Sequence, residues 1–312
     1  MELFKSTANQ MVFLFVLIFL GYLLVKIRAL PEGTDRAIAK LENNLFTPCL
    51  ILGTLYTNFT VAKLSSAAVL IGLSSALLAL IIPISIILPR FFAKTKHLKN
   101  IYVYSFAIAN FGFMGNSVVS SLFPEIFAEY ILFTLPLWIY IYVWGIPVLL
   151  MPTNEKAGVK GILKNFLNPM FICLILGILM GLLNLKVPSS IDRVIVTLGD
   201  CMSPLAMILT GITISKINLK SVLKNYKIYV ASAARLLIIP LCFIGIFSLF
   251  DLSDTFLICA VCSISMPFGI NTIVIPTAYG MDTTEASGMA LISHTLSLAT
   301  IPFIFWILSF LL

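Results

Sequence analysis

The chain has 312 residues, 60% of them hydrophobic and only 11% charged, with a formal net charge of +7 and a mean hydropathy of +1.07. A soluble domain is about half apolar and roughly a quarter charged, so twenty basic and thirteen acidic side chains cannot clothe a water-soluble protein of this size. That excludes a cytosolic globular enzyme and a disordered chain. The basic residues form short clusters between apolar blocks and no basic domain, which excludes nucleic acid as a partner and leaves the lipid bilayer.

A crossing helix needs about 20 mainly apolar residues, and the apolar blocks predict an all-α polytopic membrane protein with ten transmembrane helices. In chain order they are 8–27, 35–57, 64–90, 98–122, 127–151, 166–184, 190–214, 221–250, 253–279 and 284–311. The first follows Lys5 as a signal peptide would, but no A-x-A-like site follows it, so it is read as a retained helix. The sizeable polar stretch is 151–165, which holds Pro152, Asn154, Glu155, Lys156, Lys160 and Lys164. The expected organisation is a five-helix half at 1–151, a cytoplasmic linker at 152–165 and a second five-helix half at 166–312.

Cytoplasmic loops are enriched in Lys and Arg. The loops after spans 1, 3, 5 and 7 together hold fifteen, among them Lys26, Arg36, Arg90, Lys96, Lys156, Lys216 and Lys227. The opposite side holds four: Lys5, Lys63, Lys186 and Arg193. The expected orientation in the cell membrane has both termini outside and the central loop inside. The loop after span 9 carries only Asp282 and Glu285, and acidic residues count little in this rule.

The two halves repeat one another. Thr47-Pro48 recurs as Ser203-Pro204, Ile81-Ile82-Pro83 as Ile238-Ile239-Pro240, Asn116-Ser117 as Asn271-Thr272, and Ile146-Pro147 as Ile301-Pro302, all at offsets of 155–157. Four matches in one order on corresponding spans point to an internal repeat. A five-span unit is odd-numbered, so its second copy inserts upside down, an inverted repeat of the kind found in transporters.

Spans 4 and 9 carry the polar interruptions. Span 4 reads Asn110-Phe-Gly112-Phe-Met-Gly115-Asn116-Ser117, and span 9 reads Met266-Pro267-Phe-Gly269-Ile-Asn271-Thr272. Pro267 cannot donate a backbone hydrogen bond and Gly269 lets the chain bend. Freed backbone groups at membrane depth are tolerated where protein or a wet cavity satisfies them. Two broken helices are therefore expected to cross near the midplane, with second half-helices starting near Asn116 and Asn271. Their N–H groups and positive dipole ends favour an anion. Asn116, Ser117, Gly115, Asn271, Thr272 and Gly269 are the expected substrate contacts, with Asn44, Thr47 and Ser203 lining the cavity. The alternative is a pair of ordinary kinks held by polar contacts between helices.

Ionisable groups inside spans mark coupling or ion paths. Glu42, Asp200 and His294 are candidates for a coupling H⁺ or Na⁺, with a hydrogen-bonded packing histidine as the alternative for His294; Arg235 pairs with Asp200 or Glu42, helps attract an anion, or snorkels toward the basic loop. Trp138, Tyr140, Tyr142 and Trp144 form an aromatic cluster, one member of which could line the cavity. The six cysteines, Cys259 and Cys262 included, lie in apolar stretches and read as packing; no cofactor or metal is expected. Enzyme signatures are absent, and without a phosphate-binding loop ATP-driven transport by this chain alone is disfavoured.

Several stretches together resemble the auxin efflux carrier family of membrane transporters over essentially the whole chain: 43–55, Asn110-Phe-Gly-Phe-Met-Gly115, Asn168-Pro169 followed by Leu176-Gly-Ile-Leu-Met-Gly181, Ser203-Pro204-Leu205-Ala206, and Met266-Pro267 with Asn271 and 297–302. The short central loop is similar to bacterial and archaeal members. The resemblance implies ten helices, crossed broken helices, a scaffold and a moving transport part, a homodimer, elevator-like movement, and carboxylates such as malate, malonate or an auxin-like acid as cargo. Members commonly carry proline soon after the span-4 glycine, where this chain has Asn116-Ser117; the break there is expected to rest on Gly112 and Gly115. The reading is a secondary permease for a small organic anion. Its rivals are a sodium-coupled symporter and a membrane receptor that binds without transporting.

Overall fold

A computed structural model describes residues 2–152, 167–216, 222 and 224–312. The central linker at 152–165, the start of the span at 166–184 and the start of that at 221–250 fall wholly or largely outside the described residues. Among the described residues the chain is helical, with one isolated β-bridge and no strand. Among the described residues six helical segments are long and apolar enough to cross a membrane: Glu2–Lys26, Val61–Phe92, Pro124–Leu150, Ser189–Ser215, Tyr226–Phe247 and Thr284–Leu308. Two shorter apolar helices are Pro169–Leu182 and Asp254–Ser265.

Local sequence sets the boundaries. Asn168 accepts a hydrogen bond from the Phe171 amide at 3.0 Å, just ahead of Pro169 in the first turn, and Ser253 does the same for Phe256 at 3.3 Å. Both satisfy amides that a helix start leaves open. The segment from Thr34 to Asn58 is continuous but irregular: helix Thr34–Leu41 passes through a widened π turn, Glu42–Phe46, into helix Thr47–Asn58. In the other half, helix Ser189–Asp200 gives way at Cys201 to helix Met202–Ser215, beside Ser203-Pro204.

Small residues let these helices approach closely. A Cβ on Gly21 would collide with the Ile208 carbonyl, and one on Gly211 with the Ile18 carbonyl, so helices Glu2–Lys26 and Met202–Ser215 touch backbone to backbone. Gly177 also lies close to its neighbour, where a Cβ would sit 2.9 Å from the Leu55 Cβ, and this joins helix Pro169–Leu182 to Thr47–Asn58. Lipid gives no hydrophobic drive between helices, so such packing carries the association. These helices form a panel whose outer face is apolar and exposed, as at Val12, Phe13, Val16 and Phe19. The deepest core surrounds the segments 96–122 and 254–278, where Tyr102, Tyr104, Phe106, Phe111 and Phe268 are fully buried.

Candidate functional site: a crossing of two interrupted helices

Helix Lys96–Ala107 stops at Ile108, whose backbone turns extended, and the chain resumes through the π turn Phe111–Gly115 into helix Asn116–Leu122. Helix Asp254–Ser265 stops at Met266, also extended, and helix Asn271–Ala278 follows. The two gaps meet. Ala109 and Phe268 form an antiparallel bridge, and the Asn110 amide donates to the Pro267 carbonyl at 2.8 Å. Each break thus satisfies backbone groups that the other leaves free, which is the condition for irregular backbone at membrane depth. Ser293 of the last long helix is 3.2 Å from the Phe268 amide and accepts its hydrogen bond.

The first break lies at 108–110, ahead of where the glycine pattern put it. Gly112 and Gly115 sit inside the π turn and serve close packing. A Cβ on Gly112 would come within 2.7 Å of the Trp138 ring, and one on Gly115 would strike the Tyr130 hydroxyl. The α-helical part of the first half-helix does begin at Asn116, but the helical turns after the break begin five residues earlier, with the π turn at Phe111. Pro267 and Gly269 do lie in the second break, and Asn271 does begin the second half-helix.

A cavity of about 260 Å³ opens beside the crossing. Its polar wall is Asn43, Asn110, Asn271, Tyr104 and Tyr142, and its apolar wall includes Trp138, Ile141 and Ile275, with Gly112 and Gly269 on the backbone side. Asn271 Nδ2 donates to the Tyr104 hydroxyl at 3.0 Å. Asn110 Nδ2 donates to His294 Nε2 at 3.1 Å, while His294 Nδ1 donates to the Ala290 carbonyl at 2.7 Å, so each amide has a hydrogen-bond partner outside its own segment. Trp138 packs edge-on against Phe111 and stacks on Tyr142. A larger cavity, about 810 Å³, lies on the other face of helix Asn271–Ala278, lined by Ile273, Val274, Thr277, Thr213, Ser287, Arg36 and Lys216. An ion pair of Lys216 with Asp35 at 2.8 Å stands at its edge.

The other expected site residues are placed differently. Asn116 and Ser117 are buried but line neither cavity; Ser117 donates to the Phe113 carbonyl, and its own carbonyl accepts from Gln10. Thr272 is buried and donates to the Gly269 carbonyl. Asn44 is exposed and donates to Lys40; its neighbour Asn43 reaches the cavity instead, because one residue turns a helix by about 100°. Thr47 is buried and Ser203 half-buried, and neither lines either cavity. Asp200 is exposed at a helix end.

Glu42 is fully buried in its π turn, and neither carboxylate oxygen has a hydrogen-bond partner. Arg235 is fully buried and donates to the Phe106 carbonyl at 3.0 Å, its Nε left without a partner. It neither pairs with Glu42 or Asp200 nor snorkels. It meets the carbonyl end of helix Lys96–Ala107, where the helix dipole favours a cation. Sequence reasoning missed Asn43, Asn110 and Tyr104 as cavity groups. Asn110 was legible in its motif, but Tyr104 lies in a regular helix whose inward face only the fold defines.

A chain whose described residues include six segments long and apolar enough to cross a bilayer, with two interrupted helices bonded at their breaks beside an amide-lined cavity, is a multi-pass membrane protein. The profile of the family described as membrane transport protein, of the auxin efflux carrier type, matches residues 6–161 and 153–305. The chain belongs to that family and is a membrane transporter; the family is not one of enzymes. Comparison with curated proteins gives no match.

Proposed function

We propose that this transporter is a secondary permease for a small organic anion, a carboxylate such as malate, malonate or an auxin-like acid. The observation that carries the reading is the cavity at the helix crossing. It combines amide and hydroxyl groups, a half-helix N-terminus at Asn271 and an aromatic wall of Trp138 and Tyr142. Amide donors and a positive dipole end suit a carboxylate, and the ring faces suit its apolar part. The size of the cavity, about 260 Å³, fits a small acid.

In this reading the chain crosses the cell membrane ten times as two inverted five-helix halves, with the termini outside and the cargo site between the halves. The panel built on Glu2–Lys26, Thr47–Asn58, Pro169–Leu182 and 189–215 is the scaffold. The crossing and the helices around it move against that panel as an elevator, in a homodimer of bacterial or archaeal type. The larger cavity, flanked by Arg36 and Lys216, is the vestibule on the cytoplasmic side. Glu42 and His294 are the coupling candidates, since both are buried; Asp200 is exposed at a helix end and is set aside.

Proteoliposome uptake of radiolabelled malate, malonate and indole-acetate tests it. Uptake of one of them, lost in Asn271→Ala and Asn110→Ala, is the expected result. Uptake of none, with counterflow of a neutral or cationic solute instead, would sink the anion reading. Uptake that requires Na⁺ favours the symporter, in which carbonyls freed at the two breaks hold the cation.

A further inference from the structure

We infer that transport is coupled to one proton, held on His294 Nε2, and that Asn110 converts that proton into a change in the cavity wall. The inference rests on the anion reading above. The Ala290 carbonyl can only accept, so His294 Nδ1 carries hydrogen. In the neutral ring Nε2 is then an acceptor, and the carboxamide of Asn110 must offer it an N–H, as the 3.1 Å contact has it. This leaves Asn110 one N–H and its Oδ1 for the cavity it lines. A proton arriving through the cavity and binding Nε2 makes that nitrogen a donor. The bond to Ala290 is unchanged, and the amide of Asn110 turns over so that Oδ1 accepts. Both Nδ2 hydrogens are then free for the cavity, and an acceptor has been exchanged for a donor where an anion would sit.

The surroundings leave this pair as the responsive element. His294 is fully buried on helix Thr284–Leu308. The elements packed on that helix bring few ionisable groups to its depth. Arg235 is bound to Phe106 O, Tyr104 accepts from Asn271, and Cys259 and Cys262 are buried in the core. Tyr102 donates to Glu285 at 2.5 Å near the helix start, and Cys242 is exposed. The remaining charged groups, Glu2, Lys5, Lys26, Lys96, Lys99, Lys227 and Asp254, stand in the terminal turns of their helices, as do His97, Tyr226 and Tyr229 near theirs, with Tyr22 one turn before Lys26. None of these carboxylates bonds the imidazole, so a bound anion is the negative charge available to stabilise an imidazolium here. By linkage each then raises the affinity for the other.

The test uses purified protein in detergent, labelled with nitrogen-15 histidine and carrying His97→Gln, so that His294 is the single labelled ring. Ring shifts are followed over about pH 5 to 8 in chloride, then in acetate, benzoate, malonate or malate at matched ionic strength, with the melting temperature recorded alongside. The expected result is an Nδ1–H tautomer in chloride and an imidazolium with whichever carboxylate raises the melting temperature. That ligand's Kd should tighten roughly tenfold per unit fall in pH, a dependence lost in His294→Gln and kept in Glu42→Gln. A carboxylate that stabilises the protein while the ring stays neutral, or a pH dependence that follows Glu42 instead, overturns the proton assignment and leaves the anion site standing. Absence of stabilisation by every carboxylate at every pH removes the anion reading itself. If His294→Gln does not fold, the ring spectra of the histidine-bearing protein decide.

Discussion

Asn271 and Tyr104 come from different interrupted helices, and the bond between them makes the direction of one carboxamide a property of the fold. Replacing Asn271 with Ala removes an amide from the cavity and leaves the Tyr104 hydroxyl without its donor. A hydrogen bond to a charged group is worth about 1.5–3 kcal/mol, so anion affinity should fall roughly tenfold to a hundredfold, read by calorimetry on the purified protein. Unchanged affinity would place the anion elsewhere. Gly115→Ala acts through packing: the added methyl strikes the Tyr130 hydroxyl, which donates to the Phe111 carbonyl at the start of the π turn. Overpacking of this kind costs about 1–3 kcal/mol, and a melting curve of the variant measures it. Asn271 was legible because it follows Pro267 and Gly269 in a polar gap. Asn110 and His294 were each visible as polar residues, but their pairing spans 184 positions, and no local pattern reports it.

Elements differ in how they begin and end, and an acid stands two residues ahead of the last long helix. Asp282 accepts hydrogen bonds from the side chain of Thr284 at 2.7 Å and from its amide at 2.9 Å. These bonds, the side-chain one first, hold its carboxyl below the ordinary value of 3.8. A depressed carboxylate stabilises the fold above its ordinary value and loses that contribution as pH falls through the lowered one. Amide exchange at the start of helix Thr284–Leu308 should therefore quicken once the pH drops below 3.8, and Asp282→Asn should show the quicker exchange already at neutral pH. Equal protection in both proteins would refute a stabilising role for the Asp282–Thr284 bonds. Helix positions were legible from apolar runs. The π turns at 42–46 and 111–115 were not, because an inserted residue leaves the apolar pattern intact and changes only which side chains face inward.

For the whole molecule, the asymmetry of Lys and Arg predicts which face meets the cytoplasm. In a cysteine-free background, Lys186→Cys should react with an impermeant maleimide in intact cells, and Lys96→Cys only after permeabilisation. The reverse pattern would invert the proposed orientation. The close contact of Gly21 and Gly211 with opposing backbone makes a second prediction at this scale. Gly211→Val should separate helices Glu2–Lys26 and Met202–Ser215 and lower the melting temperature of the entire protein, since packing of small residues is what holds helices together in lipid.

Composition alone determined that this chain lives in a membrane, because too few charged side chains exist to cover it in water. Pro267 and Gly269 located the second break, because proline and glycine act on their own backbone; the first lies at 108–110, a few residues ahead of the Gly112–Gly115 pattern that pointed to it. Only the tertiary structure decided what the breaks do. It joined Asn110 to Pro267, set Tyr104 beside Asn271, placed Arg235 at a carbonyl end and left Asn116 outside the cavity. These are relations between groups far apart in the chain. They follow from which helix faces meet, which neither the order of residues nor their local spacing specifies.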